Sequence, residues 1–381
     1  MIRRKVAIVG LGSSDFGDMY RRRNEHRWSP EDLGAAALRD ALADAGLHKS
    51  DIDGLCVMRL PSYQRFGSML GLAPGQLRHV SQYPGDTQMA GVALQTAAMV
   101  VATGMAETVA CVYGNNDRSS GATYQGSDAW GMGQPCEAIY GMTSPGASAA
   151  LAYSNYVTDY DVPDDALAPL AIGNRKFAAN NPIAVMRDEL TYDGYMSARY
   201  IAEPLRLFDY CLVNDGAVAV ILTTPERAAD LRQPPAGIEA MAAAATLAGP
   251  RQTPDDSRAA AIDAADRLWA GCGLTPADMD VASFCDTFAP MVLFSLEAFD
   301  YCKPGTAWEF VRDGRIDAGG ELPLNTSGGH RSEGNMQGWN HIAELVRQVR
   351  GQSPNQVPDC QFAHYVCYSS IVTSMIFAQA A

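Results

Sequence analysis

Three things are scarce in this sequence, and each scarcity excludes a class of protein. No run of about 18 apolar residues occurs, so nothing reads as a bilayer-crossing helix. The nine cysteines form no Cys-x-x-Cys or Cys-x-x-x-Cys pair, which removes a zinc-ligand cluster. Several of them sit inside apolar runs, as reduced thiols of a cytoplasmic protein do, rather than in a disulfide framework. Basic residues are outnumbered, 29 Lys and Arg against 43 Asp and Glu, and the net charge of −14 argues against nucleic acid or an anionic membrane as partner. An anionic ligand would need a local basic patch.

What is present is a globular composition, 47% hydrophobic and 19% charged over 381 residues, long enough for two fused halves with their own cores. Val6-Ala7-Ile8-Val9 before Gly10 is too short for a signal-peptide core and reads as a first buried strand. Gly10-Leu11-Gly12 looks like a dinucleotide loop but lacks the third glycine at the right spacing.

The chain carries an internal echo. From Pro30 an apolar face of Leu33, Ala36, Ala37, Leu38, Leu42 and Ala45 predicts a helix closed by Gly46. The turn Asp51-Ile52-Asp53 then leads into the strand Gly54–Met58. Residues 260–290 repeat the order. Ala261, Ala264, Ala265, Leu268 and Trp269 lie on a helix, Gly273 closes it, and Asp278-Met279-Asp280 turns into Val281-Ala282-Ser283-Phe284. A second pair matches too: the helix Met89 to Ala102 with strand 108–113, and Trp339 to Val349 with strand 361–366. This is a duplicated αβ unit, and its alternation implies α/β layers. The domain division expected is 1–115 with 206–235 as one half and 236–381 as the other. Between them lies a loop domain, 116–205, rich in Gly, Asn, Tyr and Pro. The glycine- and tyrosine-rich part from Gly121 to Gly146 reads as a loop over a substrate tunnel.

At this point the residues resemble the thiolase superfamily, in the branch of sterol-carrier-protein-type thiolases and lipid-transfer proteins. The segments that carry the likeness are 51–54, Asn174 to Pro182, Ile201 to Arg206, Asn214 to Val220 and Leu322 to His330. The resemblance implies a thiolase fold of duplicated α-β-α-β-α layers with an inserted loop domain. It also implies acyl-CoA thioesters as substrates with no tightly bound cofactor, and a homodimer joined at the sheet edge near 108–113. Relatives in this branch often work with a small zinc-ribbon/OB-fold protein, which here would have to be another chain.

The departures from the pattern bear on chemistry. The nucleophilic cysteine of the family opens a helix at the place of Thr87, and no cysteine lies between Cys56 and Cys111. A threonine hydroxyl does not replace a thiolate without a strong base. The family's Asn-Glu-Ala-Phe element reads Cys285-Asp286-Thr287-Phe288, and its Gly-His-Pro reads Gly334-Asn335-Met336. The nearest sub-family is the thiolase-like steroid-CoA aldolases, whose catalytic tyrosines align with Cys285 and Asn335.

Candidate catalytic residues are therefore His330, Asp286, Cys367, Cys285, Tyr368 and His364. Cys367 lies near the family's second catalytic cysteine. Candidate substrate-binding residues are Thr87, Asp86, Asn325, Gly328, Gly329, Asn335, Arg175 and Lys176, the last two for CoA phosphates. Each has a structural alternative: a cap for Asp86 and Thr87, a turn carboxylate for Asp286, a solvated helix face for Arg175 and Lys176, and inert packing for the thiols. Three functions compete. One is a retro-aldol C–C lyase on a bulky acyl-CoA, with His330 and Asp286 sharing a base role beside Thr87. The others are an acyltransferase using an unconventional thiol, and a degenerate acyl-binding subunit.

Overall fold

The computed structural model describes residues 3–22, 25, 28–122, 144–246 and 254–379. Eleven strands are seen among them. They are β1 (Ala7–Ser13), β2 (Gly54–Met58), β3 (His79–Tyr83), β4 (Val109–Asn115), β5 (Tyr200–Ala202), β6 (Leu205–Arg206), β7 (Gly216–Thr223), β8 (Ala236–Ala245), β9 (Val281–Phe284), β10 (Phe362–Cys367) and β11 (Ile371–Gln379). Nine form one mixed sheet in the order β3-β2-β4-β7-β1-β8-β11-β10-β9, and β5 with β6 makes a small hairpin.

The echo in the sequence is an echo in structure. Helix Pro30–Ala45 and helix Pro254–Cys272 each lead through a short 3-10 turn into β2 and β9. Helices Gln88–Ala102 and Trp339–Arg350 likewise precede β4 and β10. The Asp-x-Asp turns explain themselves twice over. The first aspartates, Asp51 and Asp278, accept from the backbone N–H groups of His48 and Thr275. The second ones, Asp53 and Asp280, accept from paired N–H groups at the start of the neighbouring strand: Glu107 and Thr108 for Asp53, Gln361 and Phe362 for Asp280. Each turn thus sets the register of a parallel pair, β2 with β4 and β9 with β10.

Period-two alternation sorts the strand residues into layers. Val109, Cys111 and Tyr113 join a core that also takes in Ala90, Leu94, Trp339, Ile342, Tyr365 and Phe377. Ala110 and Val112 face the other way, against Leu33, Ala37 and Ala41 of the 30–45 helix. A third core packs the 254–272 helix against Phe284, Val366 and Ile376. The 88–102 and 339–350 helices thus share a central layer with sheet on both sides. Close approach there needs glycine: a Cβ on Gly91 would lie 2.1 Å from Thr373 Oγ1. Gly12 in β1 serves the same purpose, since a Cβ there would lie 2.0 Å from the Ala37 carbonyl oxygen. The dinucleotide-like glycines are packing glycines.

Two expectations need correction. Strand 108–113 is no sheet edge, because β4 is paired on both sides, with β2 and with β7. The open edge of that half is β3, which pairs only with β2 and is partly exposed. The 116–205 insertion is far less irregular than its composition suggested, holding helices Pro145–Tyr160, Ala168–Asn180 and Tyr192–Met196. Most of the segment read as a tunnel loop, 123–143, lies outside the described residues. No described helix is long and apolar enough to cross a membrane.

Candidate active site

Where the central helices begin, loops of both halves meet. Thr87 precedes the 88–102 helix with no capping hydrogen bond from its side chain. Its Oγ1 lies 3.2 Å from Thr287 Oγ1, which in turn lies 3.4 Å from His330 Nδ1. The Gly338 N–H donates to His330 Nε2 at 3.0 Å. The next residue, Gln88, accepts through Oε1 from Ser370 Oγ and the Ile371 N–H, which ties in the 367–370 loop. Asp86 accepts from Gln88 Nε2 at 2.7 Å, and burial raises its pKa from the usual carboxylate value.

Asp286 is the hub. It is fully buried and takes four donors: the His330 N–H at 2.7 Å, Asn174 Nδ2 at 2.6 Å, Arg331 Nε at 2.9 Å and His341 Nε2 at 3.1 Å. Burial alone would raise its pKa, but the His341 hydrogen bond and the Arg331 charge hold it well below the carboxylate range. It is a permanent anion, not a base. The conformations of Gly328 (φ 105°) and Gly329 (φ 61°) also serve this anchor. A Cβ on Gly329 would fall 2.5 Å from Asp286 Oδ2, so the close approach is to Asp286.

His330 is buried too, and burial together with the His341 charge pushes its pKa down to about 3. Its neutral ring accepts at Nε2, so its proton sits on Nδ1 and points to Thr287. That makes it a hydrogen-bond donor in this state and unavailable as the shared base. Asn325, at φ 55°, uses its amide to staple the end of β9, accepting from the Phe284 N–H at 2.8 Å and donating to the Phe284 carbonyl at 3.1 Å. Asn335 donates to Cys211 Sγ at 3.3 Å and accepts from the Gln337 N–H at 3.0 Å.

Cys285 and Cys367 come together at the ends of the adjacent parallel strands β9 and β10, near enough for their thiols to interact. The Tyr365 hydroxyl lies 3.3 Å from Cys285 Sγ. Other candidates fall elsewhere. His364 is buried among Trp269, Phe284 and Phe299 and bonded to Tyr301 and Ser374, a core histidine held neutral by burial, with its pKa down to about 3. Tyr368 packs on Phe294. Arg175 is buried and donates to Ser332 and to the Asp188 carbonyl, whereas Lys176 is exposed and paired with Asp317 at 2.6 Å. Neither forms a basic patch.

Six side chains of the cluster escaped the sequence reading: Asn174 and Arg331 as Asp286 donors, Ser283, Thr287, His341 and Tyr365. Donor atoms of Cys285, His330 and His341 lie within 4.8 Å of one another, close enough for one ion. Yet every ring nitrogen of both histidines already has a protein partner. The cluster is better described as hydrogen-bonded and ion-paired.

Chains of known identity share this architecture and length. A 17-hydroxy-3-oxo-4-pregnene-20-carboxyl-CoA lyase of Mycobacterium tuberculosis is 35% identical, covering 98% of this chain and 99% of its own. The chain belongs to the thiolase superfamily. Its branch is that of the sterol-carrier-protein-type thiolases, beside the steroid-CoA aldolases. A steroid side-chain-cleaving aldolase of Thermomonospora curvata is 34% identical over 93% of this chain and 92% of its own. The thiolase C-terminal domain-like family model matches residues 242–376. Among solved structures, the Ltp2-ChsH2(DUF35) aldolase superposes with a TM-score of 0.89 at 32% identity, covering 100% of this chain and 99% of that one. Human mitochondrial 3-ketoacyl-CoA thiolase has a TM-score of 0.71 at 14% identity over the full length of both chains, which speaks to the fold alone.

Proposed function

We propose that this chain is a thiolase-fold C–C lyase that cleaves a bulky β-hydroxyacyl-CoA thioester by a retro-aldol step, with no acyl-enzyme at Thr87. The observation that carries this reading is the hydroxyl chain at the family's nucleophile position. His330 Nδ1–H faces Thr287 Oγ1 at 3.4 Å and Thr287 Oγ1 faces Thr87 Oγ1 at 3.2 Å, so with Thr287 as donor to Thr87 the Thr87 proton is left for a ligand oxygen. Such a chain ends in a neutral donor, suited to a thioester oxygen on which enolate charge develops. It does not end in a nucleophile.

Full-length identity to a steroid carboxyl-CoA lyase and a steroid side-chain aldolase supports a polycyclic acyl group. The titled DUF35 component of the similar structure supports a second chain beside this one. The halves 1–115 with 206–235, and 236–381, would carry the site, and the 116–205 insertion would cover it. A homodimer would pair through the open edge β3. Val80→Lys should then yield monomers by light scattering, and an unchanged dimer would move the interface elsewhere.

The test of function is incubation of the purified chain, alone and with a co-expressed DUF35 protein, with β-hydroxyacyl-CoA thioesters of steroids. Liquid chromatography with mass detection should show a ketone and a shortened acyl-CoA in equal amounts. An acyl adduct on Cys285 or Cys367 with free CoA released would replace this reading with thiol-based acyl transfer.

A further inference from the structure

The helix that follows Thr287 is built inside out. Pro290–Ala298 carries two polar side chains, Ser295 and Glu297, and both are buried. Ser295 Oγ donates to the Met291 carbonyl, and Glu297 accepts from the Tyr156 hydroxyl and the Gly305 and Ala307 N–H groups. From Val281 to Phe299, only Thr287, Phe288, Met291 and Phe294 are partly exposed. The last three recur every third residue, so they share one face over about two turns, on the order of 10 Å. A helix face open to water ordinarily carries polar side chains. This one carries two phenylalanines and a methionine.

The face is fastened to the site in two places. Thr287, at its head, lies 3.2 Å from Thr87 through their hydroxyl oxygens. Tyr368, outside the hydroxyl chain, packs on Phe294 with ring centroids 5.7 Å apart. Two residues further on, Ser370 donates to Gln88 Oε1 at 2.7 Å. The apolar face and the 368–370 turn are thus tied to consecutive residues, Thr87 and Gln88, at the start of the 88–102 helix. The rings are also held from behind. Tyr156 meets Phe294 at 5.5 Å between centroids, and Tyr210 meets Phe288 at 5.3 Å. Met291, between the two phenylalanines, is the adaptable member. A rigid apolar ligand would cover this surface at little ordering cost.

We propose that Met291 and Phe294, with Tyr368 beside them, form the wall on which the acyl group of the thioester lies, and that this wall selects a flat polycyclic acyl group over a short one. The identity of the ligand as a thioester rests on the lyase reading above. A thioester oxygen at the Thr87 hydroxyl puts the first acyl carbons beside Thr287, where the face begins. An acetyl group would end there and leave Met291 and Phe294 wet. A fused ring system reaches along both turns and removes apolar surface from water on each partner.

Calorimetric titration of the full chain, alone and with the co-expressed DUF35 protein, separates the wall from the chemistry. The probes are acetyl-CoA and 3-oxo-4-pregnene-20-carboxyl-CoA, which lacks the hydroxyl that cleavage needs. Phe294→Ala and Met291→Ala should each raise the Kd of the steroid thioester about tenfold, and that of acetyl-CoA less than about twofold. Met291→Trp fills the face instead of emptying it, and it should weaken the steroid thioester alone at an unaltered melting temperature. Equal shifts for both thioesters, or steroid affinity unchanged in all three variants, overturn the proposal. So does loss of DUF35 association with thioester affinity intact, which would make the face a protein contact. Variant-dependent steroid affinity in a chain that never cleaves the hydroxylated counterpart sinks the lyase reading and keeps the wall. Cleavage by a chain whose steroid affinity ignores these variants does the reverse.

Discussion

The two halves of this molecule have the same scaffold and opposite interiors. In the first, the central helix Gln88–Ala102 is lined by Ala90, Ala93, Leu94, Ala97 and Ala98, and its start offers hydroxyls and amides. In the second, the matching helix Trp339–Arg350 buries Asn340, His341, Glu344 and Gln348 behind an ionic hub at Asp286. All three buried histidines among the described residues, His330, His341 and His364, lie in the second half. Duplication preserved what sets register, namely the Asp-x-Asp turns and the left-handed glycines at Gly46 and Gly273. It left the facing ends free to diverge, and the charged chemistry collected on one side.

Four experiments would break or sharpen that contrast. The largest effect should come from Asp286→Ala, which strands Arg331 and His341 and should cost about 3–5 kcal/mol in urea unfolding. The matched change in the first half, Asp53→Ala, removes a cap-like carboxylate and should cost only about 0.5–2 kcal/mol. Equal costs would mean that the ionic hub is no more important than a turn.

Next, Thr87→Ala should lower kcat by about 10²- to 10³-fold, as loss of an oxyanion donor does, with little change in melting temperature. Unaltered turnover would take the hydroxyl chain out of the reaction.

A smaller effect concerns pH. His364 has a folded pKa near 3, below its ordinary 6.5, because burial disfavours the charged ring. The unfolded chain therefore gains a proton first on acidification. Stability due to this group is lost as pH falls from 6.5 toward 3, by about 1.4 kcal/mol per pH unit. His364→Gln should remove one such increment from the slope of unfolding free energy against pH. An identical slope in both proteins would mean the ring is charged in the folded core.

The smallest effect should be that of Lys176→Ala. The side chain is exposed and already paired with Asp317, so the KM for an acyl-CoA should change by less than about twofold. A marked rise would restore Lys176 as a phosphate ligand.

Much of the scaffold could be read from the chain because its rules are local. Helix closure at Gly46 and Gly273, and the turns at Asp51 and Asp278, depend on neighbours a few residues away. The candidate site was legible where motif and family pattern coincided, at Thr87, Asp286 and His330. It was not legible at His341, Ser283 or Tyr365. These sit on helices and strands packed into the core, and periodicity cannot tell a polar residue with a distant partner from an ordinary core position. His341 meets Asp286 across 55 residues of sequence, and Thr87 meets Thr287 across 200. The sheet edge was misplaced for a related reason. Strand order depends on which crossovers the helices make, and β4 gains its second neighbour, β7, only after the whole insertion has passed.

The shared central layer has a consequence for any attempt to divide the protein. The 88–102 and 339–350 helices contribute to one core, with Gly91 pressed against Thr373. Cut between the halves, each fragment would show bare apolar surface where its counterpart had been, and β1 would lose its partner β8. Complementation should therefore demand simultaneous synthesis of both pieces. In the intact chain, exchange of the Gly338 amide with deuterium should wait for opening of the entire molecule.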